Sequence, residues 1–521
     1  QVIIVGGGPV GCALAVDLGL RGIDCVLLER RTEMHVIPKG QNLHPRTLEH
    51  FYRWGIVDAL RAERIMPAGY PISGITAYGN LRSEYWSAPS QREVVRPYYF
   101  QAPERLPQYL TEKVLRARMA TLPSVKTRFG WTAERITQDE KEIRVDVAGP
   151  DGQRETLTAD YAVGCDGARS IVREQIGIAR GGADFDQLMV LAVFRSRELH
   201  EGLKRFPDRA TYLVLRPELK GYWQFFGRID VGEGFFFHAP VPPGTTRENY
   251  DFLGLLHGVA GFPFACEFDH VGFWDLRIAV ADEYRVGRAL IAGDAAHSHP
   301  PYGGFGLNNG LEDVSNLGWK LAANLQGWGG ELLLNSYSQE RRAIFHETAE
   351  DFIAGRIAAD REFLERYNPD RDRAEFESAW RDRAAGMGAR TMSYEPHYEG
   401  SPVVAGPQGG KCSAHGVHTF AARAGHHLPP QLLSSGRNVF EKLGPGLTLL
   451  AFGAGEAAAE LARAADALKI PLTTVGDTYA DGRLLYGARL ILVRPDQYVA
   501  WAGDEPPEDK RRLLETVVGR A

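Results

Sequence analysis

A chain of 521 residues exceeds one ordinary domain, so two to four are expected. Hydrophobic residues at 44%, charged residues at 24%, a formal net charge of −6 and a pI near 6.2 describe a globular protein with no general pull toward nucleic acid or anionic membrane. No apolar run reaches the roughly 18 residues of a membrane span. Five scattered cysteines without CxxC or Cys/His spacing exclude a disulfide framework, and no metal site is expected.

Gln1 leads directly into the apolar run Val2–Val5, which reads as a strand and not as a signal peptide, so the cytoplasm is the default location. Next comes Gly6-Gly7-Gly8-Pro9-Val10-Gly11, a G-x-G-x-x-G, then helical spacing through Leu20 and a second buried strand closed by Glu29. Gly6 permits the tight turn, Gly8 lets backbone approach a pyrophosphate, and Gly11 lets helix and strand pack closely. Amide N–H groups at the helix start, behind Pro9, favour an anion. Glu29 would accept hydrogen bonds from ribose hydroxyls, with Arg30 beside it. This unit binds a dinucleotide but does not separate FAD from NAD.

Further on, Lys39 and Gln41 precede Arg46-Thr47-Leu48-Glu49, and Gln108 sits in Leu106-Pro107-Gln108-Tyr109-Leu110. Tyr161–Gly164 is a strand running into Cys165-Asp166-Gly167. From about 180 to 280 the pattern shortens to alternating, aromatic-rich runs that read as antiparallel strands, including Tyr222–Arg228 and Gly234–Pro240. His238, His44, Arg228 and Tyr222 are the polar candidates for a substrate site among these aromatics. His238 leads because an unperturbed imidazole titrates near working pH, although a lone histidine is more often packed or on the surface.

A buried strand then ends in Gly293-Asp294, followed by Pro300-Pro301-Tyr302-Gly303-Gly304-Phe305-Gly306-Leu307-Asn308 and a helix with apolar positions from Leu311 to Leu325. Asp294 at a strand's carboxyl end is placed to hold a ribityl chain or O3′. His297 and His299 beside it are assigned to structure. Residues 395–410, rich in Pro, Gly and Tyr, read as a linker. After it come a strand at Leu447–Phe452, an alanine-rich helix, a strand near Pro471, a hairpin around Arg494-Pro495-Asp496 and a last helix.

These signatures, in this order, resemble the single-component FAD-dependent aromatic hydroxylases typified by para-hydroxybenzoate hydroxylase and phenol hydroxylase. The resemblance is strong over about 1–60, 105–175 and 280–345, and Leu492–Trp501 matches the phenol-hydroxylase C-terminal domain. It implies an α/β chain (α+β overall). A Rossmann-like FAD-binding domain (1–70, 101–178, 280–395) is interrupted by an antiparallel-sheet substrate domain (71–100, 179–279). A thioredoxin-like domain (400–521), unable to exchange thiols, packs or dimerises, and a homodimer is expected.

By the same resemblance, FAD is held by Gly6, Gly8, Pro9, Gly11, Glu29, Arg30, Lys39, Gln108, Asp166, Asp294, Pro301, Gly304, Gly306, Leu307 and Asn308. NADPH or NADH serves as a transient reductant and lacks its own Rossmann unit. The implied activity is hydroxylation of a phenolic aromatic with O2 through a C4a-hydroperoxyflavin, with His238, Arg228, Tyr222 and Pro301 nearest the chemistry. Where phenol hydroxylases carry an aspartate base, this chain carries Gln41, which cannot act as one. An epoxidase, Baeyer–Villiger-type oxygenase or oxidase on a non-phenolic ring is the alternative, and a non-enzymatic flavin sensor the third reading.

Overall fold

The computed structural model describes residues 1–88 and 93–521. Residues 89–92, within the 71–100 segment expected in the substrate domain, lie outside the described residues. Among the described residues a six-stranded sheet runs in the order Arg285–Val286, Ala289–Ile291, Tyr161–Gly164, Val2–Val5, Cys25–Glu29, Val125–Phe129. All neighbours are parallel except the first pair. Val2–Val5 is buried along its whole length, as a central parallel strand covered on both faces must be. Helices Pro9–Leu20 and Phe305–Leu325 cross against each other over the sheet.

Long excursions from this sheet build a second, eight-stranded one. Its order is His297–Ser298, Glu267–Ala281, Arg180–Arg195, Gly234–Val241, Gln224–Arg228, Thr211–Leu215, Gly74–Tyr78, Trp86–Ser87. It is antiparallel apart from the parallel pairing of Thr211–Leu215 with Gly74–Tyr78. Because side chains alternate between faces, each strand splits its aromatics. Phe226, Phe235 and Phe237 join a core closed by helices Arg197–Leu203 and Phe252–Ala260. Phe225 and Phe236 point to the opposite face, toward the first sheet.

Residues 395–410 are not simply the linker expected from their Pro and Gly content. Tyr394–Tyr398 is a strand paired antiparallel with Cys412–His415, and Glu395, His397, Tyr398 and Val403 are buried. Tyrosine, histidine and valine decide the outcome there, since their burial outweighs the turn-forming residues between them. The C-terminal sheet has the order Leu472–Asp477, Leu447–Phe452, Leu490–Val493, Val499–Gly503, with helices Gly455–Ala467 and Lys510–Val517 against one face. No helix among the described residues is long and apolar enough to cross a membrane.

Candidate active site

A cavity of about 1050 Å³ opens between the carboxyl ends of the parallel strands and the inner face of the eight-stranded sheet. It exceeds the span of roughly 300–1,000 Å³ usual for one drug-sized ligand. The three glycines of the first turn divide their work. Gly6 holds φ +106°, and a Cβ there would lie 2.4 Å from the Cys165 carbonyl oxygen. A Cβ on Gly11 would lie 2.0 Å from the Gly6 oxygen, so helix and strand meet backbone to backbone. Gly8 has nothing within 4 Å of a built Cβ and faces open space at the helix start. Glu29 is locked by the N–H groups of Gly7 (2.7 Å) and Arg31 (2.9 Å), which fixes its carboxylate at the cavity wall.

Pro9, Arg30, Lys39, Gln108, Asp166, Asp294, Pro301, Gly304, Gly306 and Leu307 also line this cavity. One oxygen of Asp166 caps the following helix through the N–H of Ile171 (2.8 Å), while the other has no partner; burial raises its pKa. Asp294, an exposed residue, opens into the cavity from the turn Gly293–Ala295, and the protein packed around it raises its pKa against the opposing pull of His297 and Lys39. Gly303 and Gly304 both adopt left-handed conformations, φ +76° and +73°, and bring the start of helix Phe305–Leu325 to the cavity edge. Asn308 departs from expectation. Its amide is spent on Asn42 O, Gly304 O, His44 N and Thr47 Oγ1, so its side chain braces the loop and does not line this cavity.

Opposite that loop stands an aromatic wall of Phe225, Phe236, Trp223 and Trp274. His238 sits within it, its ring 5.1 Å from Phe225, 5.7 Å from Phe236 and 5.8 Å from Trp274. Neither of its nitrogens has a side-chain hydrogen-bond partner, and burial pushes its pKa down to about 3 against an opposing contact with the Val190 backbone. The expected titration near neutrality is therefore overturned: low polarity disfavours the imidazolium, and the ring stays neutral.

The three other candidates are placed elsewhere. Arg228 lies across from Phe235 in the register and so faces the helix side of the sheet. There it donates to Tyr212 Oη (3.1 Å) and contacts His200 Nδ1 (2.9 Å). Tyr222 packs behind the wall, next to Trp223, and does not line the cavity. His44 borders a separate cavity of about 200 Å³ beyond the Gly303–Phe305 loop.

The structure adds residues that sequence reasoning did not assign to the site. Gln41 is buried at the cavity with both amide atoms unpartnered. Trp274 Nε1 is likewise unpaired. His299 lines the cavity with a free Nε2 and a pKa lowered to about 4 by burial, while His297 is structural, 2.6 Å from Asp313 and stacked on Phe345. Strand alternation from His238 through Phe236 is the signal that finds Phe225. Gln41 and His299 lie in loops that carry no such signal.

These residues fit a flavin dinucleotide. A glycine cradle stands open at a helix N-terminus, an acid ends the second strand, and buried polar atoms face the cavity without partners. Residues 1–351 match the model of the FAD binding domain family, and 421–521 match that of the aromatic-ring hydroxylase C-terminal family. The chain belongs to the FAD-dependent aromatic-ring hydroxylase family. It is an FAD-dependent monooxygenase.

The 4-methyl-5-nitrocatechol 5-monooxygenase of Burkholderia sp. is 30% identical over 98% of this chain and 96% of its own. The tetracenomycin A2 monooxygenase-dioxygenase of Streptomyces glaucescens is 28% identical over 100% and 97%. Among solved structures, aklavinone-11 hydroxylase with FAD and aklavinone superimposes with a TM-score of 0.84 at 25% identity, covering 100% of this chain and 99% of that one.

Proposed function

We propose that this monooxygenase hydroxylates a phenolic ring of an extended, polycyclic aromatic, using NAD(P)H and O2. One observation carries the reading: Gln41, with both amide atoms unpartnered, and His238, set in the aromatic wall without a side-chain partner, present buried polar groups to a cavity large enough for a ligand beside the dinucleotide. Leaving such atoms unpaired costs about 1–3 kcal/mol each, and a substrate bearing hydroxyl and carbonyl groups removes that cost. The relatives named above are a 4-methyl-5-nitrocatechol 5-monooxygenase and a tetracenomycin A2 monooxygenase-dioxygenase, which agrees with an oxygenation of this kind.

The chain's residues divide the task. Gly8 and the helix behind it would hold the pyrophosphate, Glu29 the adenosine ribose, and Asp294 the ribityl side. The N–H groups at the start of helix Phe305–Leu325 would place partial positive charge beside the ring's carbonyl edge. When bound, FAD supplies electrons taken from NAD(P)H and the activated oxygen.

Neutral His238 can accept the phenol's hydrogen bond at one nitrogen, raising electron density on the ring to be attacked. Its low basicity keeps it from being protonated beforehand. Gln41 can donate to a neighbouring carbonyl and accept from a hydroxyl, so it orients and does not deprotonate. The aromatic wall excludes water and stacks the planar substrate. We assign the C-terminal domain a thioredoxin-like packing role and expect a homodimer.

Turnover of 1,8-dihydroxyanthraquinone, 1-naphthol and catechol with NADPH or NADH under 18O2 tests the reading. A product heavier by one labelled oxygen on the ring supports it. Lactone, epoxide or simple dehydrogenated products would overturn the hydroxylation assignment.

A further inference from the structure

Away from the cavity, three side chains converge where the segment after helix Arg373–Ser393 meets the C-terminal domain. His397 lies in the strand Tyr394–Tyr398, Glu399 follows that strand, and His426 arrives from a separate segment; one nitrogen or oxygen from each lies within 4.8 Å of the others. The approach is built into the backbone. Tyr398 N–H donates to Gly425 O and Gly425 N–H to Val499 O, both 2.7 Å. Gly425 holds φ +87°, and a Cβ there would meet Glu399 N at 2.4 Å. The two imidazoles are thereby stacked, centroids 4.4 Å apart and 16° from parallel.

Hydrogen-bond accounting fixes their states. His397 Nε2 is 3.0 Å from the His415 carbonyl, which only accepts, so Nε2 carries the proton and Nδ1 a bare lone pair. That Nδ1 is buried, without a partner, in a residue 8% exposed. His426 Nδ1 is 2.8 Å from Glu395 Oε1, a carboxylate also held by Arg423 at 2.9 Å, and so donates its proton there. His426 Nε2 then faces Glu399 Oε1 at 2.8 Å. A second proton on His426 would satisfy that contact and still leave His397 Nδ1 with nothing.

We propose that His397, His426 and Glu399 form a divalent-metal site of two imidazole nitrogens and one carboxylate, suited to Zn2+. This donor set is one that borderline divalent ions take. The His415 carbonyl on one ligand histidine and the Glu395 carboxylate on the other supply the outer hydrogen bonds that orient metal-bound imidazoles. Glu399, with its side chain 27% exposed, gives the ion an entry path and leaves room for water in the remaining position. The ion would pin residues 394–399 to the strand Val499–Gly503 through His426, whose carbonyl accepts from Val499 N–H at 2.9 Å. Its role is structural, independent of the flavin chemistry.

The test uses EDTA-treated, FAD-loaded enzyme titrated with ZnCl2, following bound zinc after gel filtration and the melting temperature. The expected result is one zinc per chain with the melting temperature raised by several degrees. Glu399→Gln, a part-exposed isostere that preserves packing, and His397→Gln should each weaken binding at least about 10-fold while the flavin spectrum stays unchanged. Absence of stoichiometric zinc, or wild-type affinity in both variants, overturns the proposal.

Discussion

Arg494 and Glu340 meet through two hydrogen bonds of 2.6 and 2.9 Å, with neither side chain exposed to solvent. Arg494 also holds Asp496, and Glu340 also takes Lys320 Nζ at 2.7 Å. This network sits where the C-terminal hairpin docks on helices Phe305–Leu325 and Glu331–Glu347. Removing one member strands a buried charge. Arg494→Met should therefore cost on the order of 3–5 kcal/mol in urea denaturation. A loss below about 1 kcal/mol would show that the docking does not depend on the pair.

The first-turn glycines separate folding from cofactor binding. Gly11→Ala places a methyl against the Gly6 carbonyl and should lower both the melting temperature and FAD content. Gly8→Ala meets no protein atom and should keep the apoprotein's melting temperature while weakening FAD binding, read by fluorescence titration. Equal effects of the two on apoprotein stability would contradict this division.

Strand alternation separates His238 from Arg228. His238→Gln should lower kcat/KM for hydroxylation by about 10- to 100-fold with FAD affinity retained. Arg228→Met should leave turnover within about twofold but destabilise the fold by about 1–3 kcal/mol, through the loss of its bonds to Tyr212 and His200. Steady-state kinetics beside urea melts checks both; unchanged turnover in His238→Gln removes that residue from the site.

The depressed pKa of His238 has a stability signature. Its folded value near 3 lies below the ordinary 6.5, so between these values the unfolded chain binds the proton and the folded chain does not. Stability is fully retained above about pH 6.5 and falls as pH drops toward 3, by up to about 1.4 kcal/mol per unit from this group. His238→Gln should show a shallower loss between pH 6 and 4. Identical slopes in urea melts would place the wild-type imidazole in a solvated setting.

The framework was legible because its signals are local. The first βαβ unit, Gly293-Asp294 and the glycine loop each combine a strand, a turn and a helix within a few residues, and the Leu447–Trp501 elements follow their apolar runs. Side-chain placement is set where contacts are distant. Arg228 and His238 look alike in sequence as polar residues beside phenylalanines, but the register places Arg228 opposite Phe235 and His238 opposite Phe225, on different faces. Asn308 sits in the loop whose position suggests a cofactor contact, but its side chain is held by Asn42, His44, Thr47 and Gly304. Residues 395–410 looked like a linker because their pairing with Cys412–His415 lies beyond the window. No spacing rule joins His397 to His426 either, since Gly425 and the strand pairing bring them together.

The most direct test of the central claim is anaerobic stopped-flow reduction of the FAD-loaded enzyme by NADPH or NADH, with and without 1,8-dihydroxyanthraquinone, 1-naphthol or catechol, followed at the visible flavin band. The account predicts that a polycyclic phenol speeds bleaching of the flavin well above the substrate-free rate, and that His238→Gln diminishes this effect. A protein that retains no FAD, or a flavin reduced at the same rate whatever aromatic is present, would contradict it.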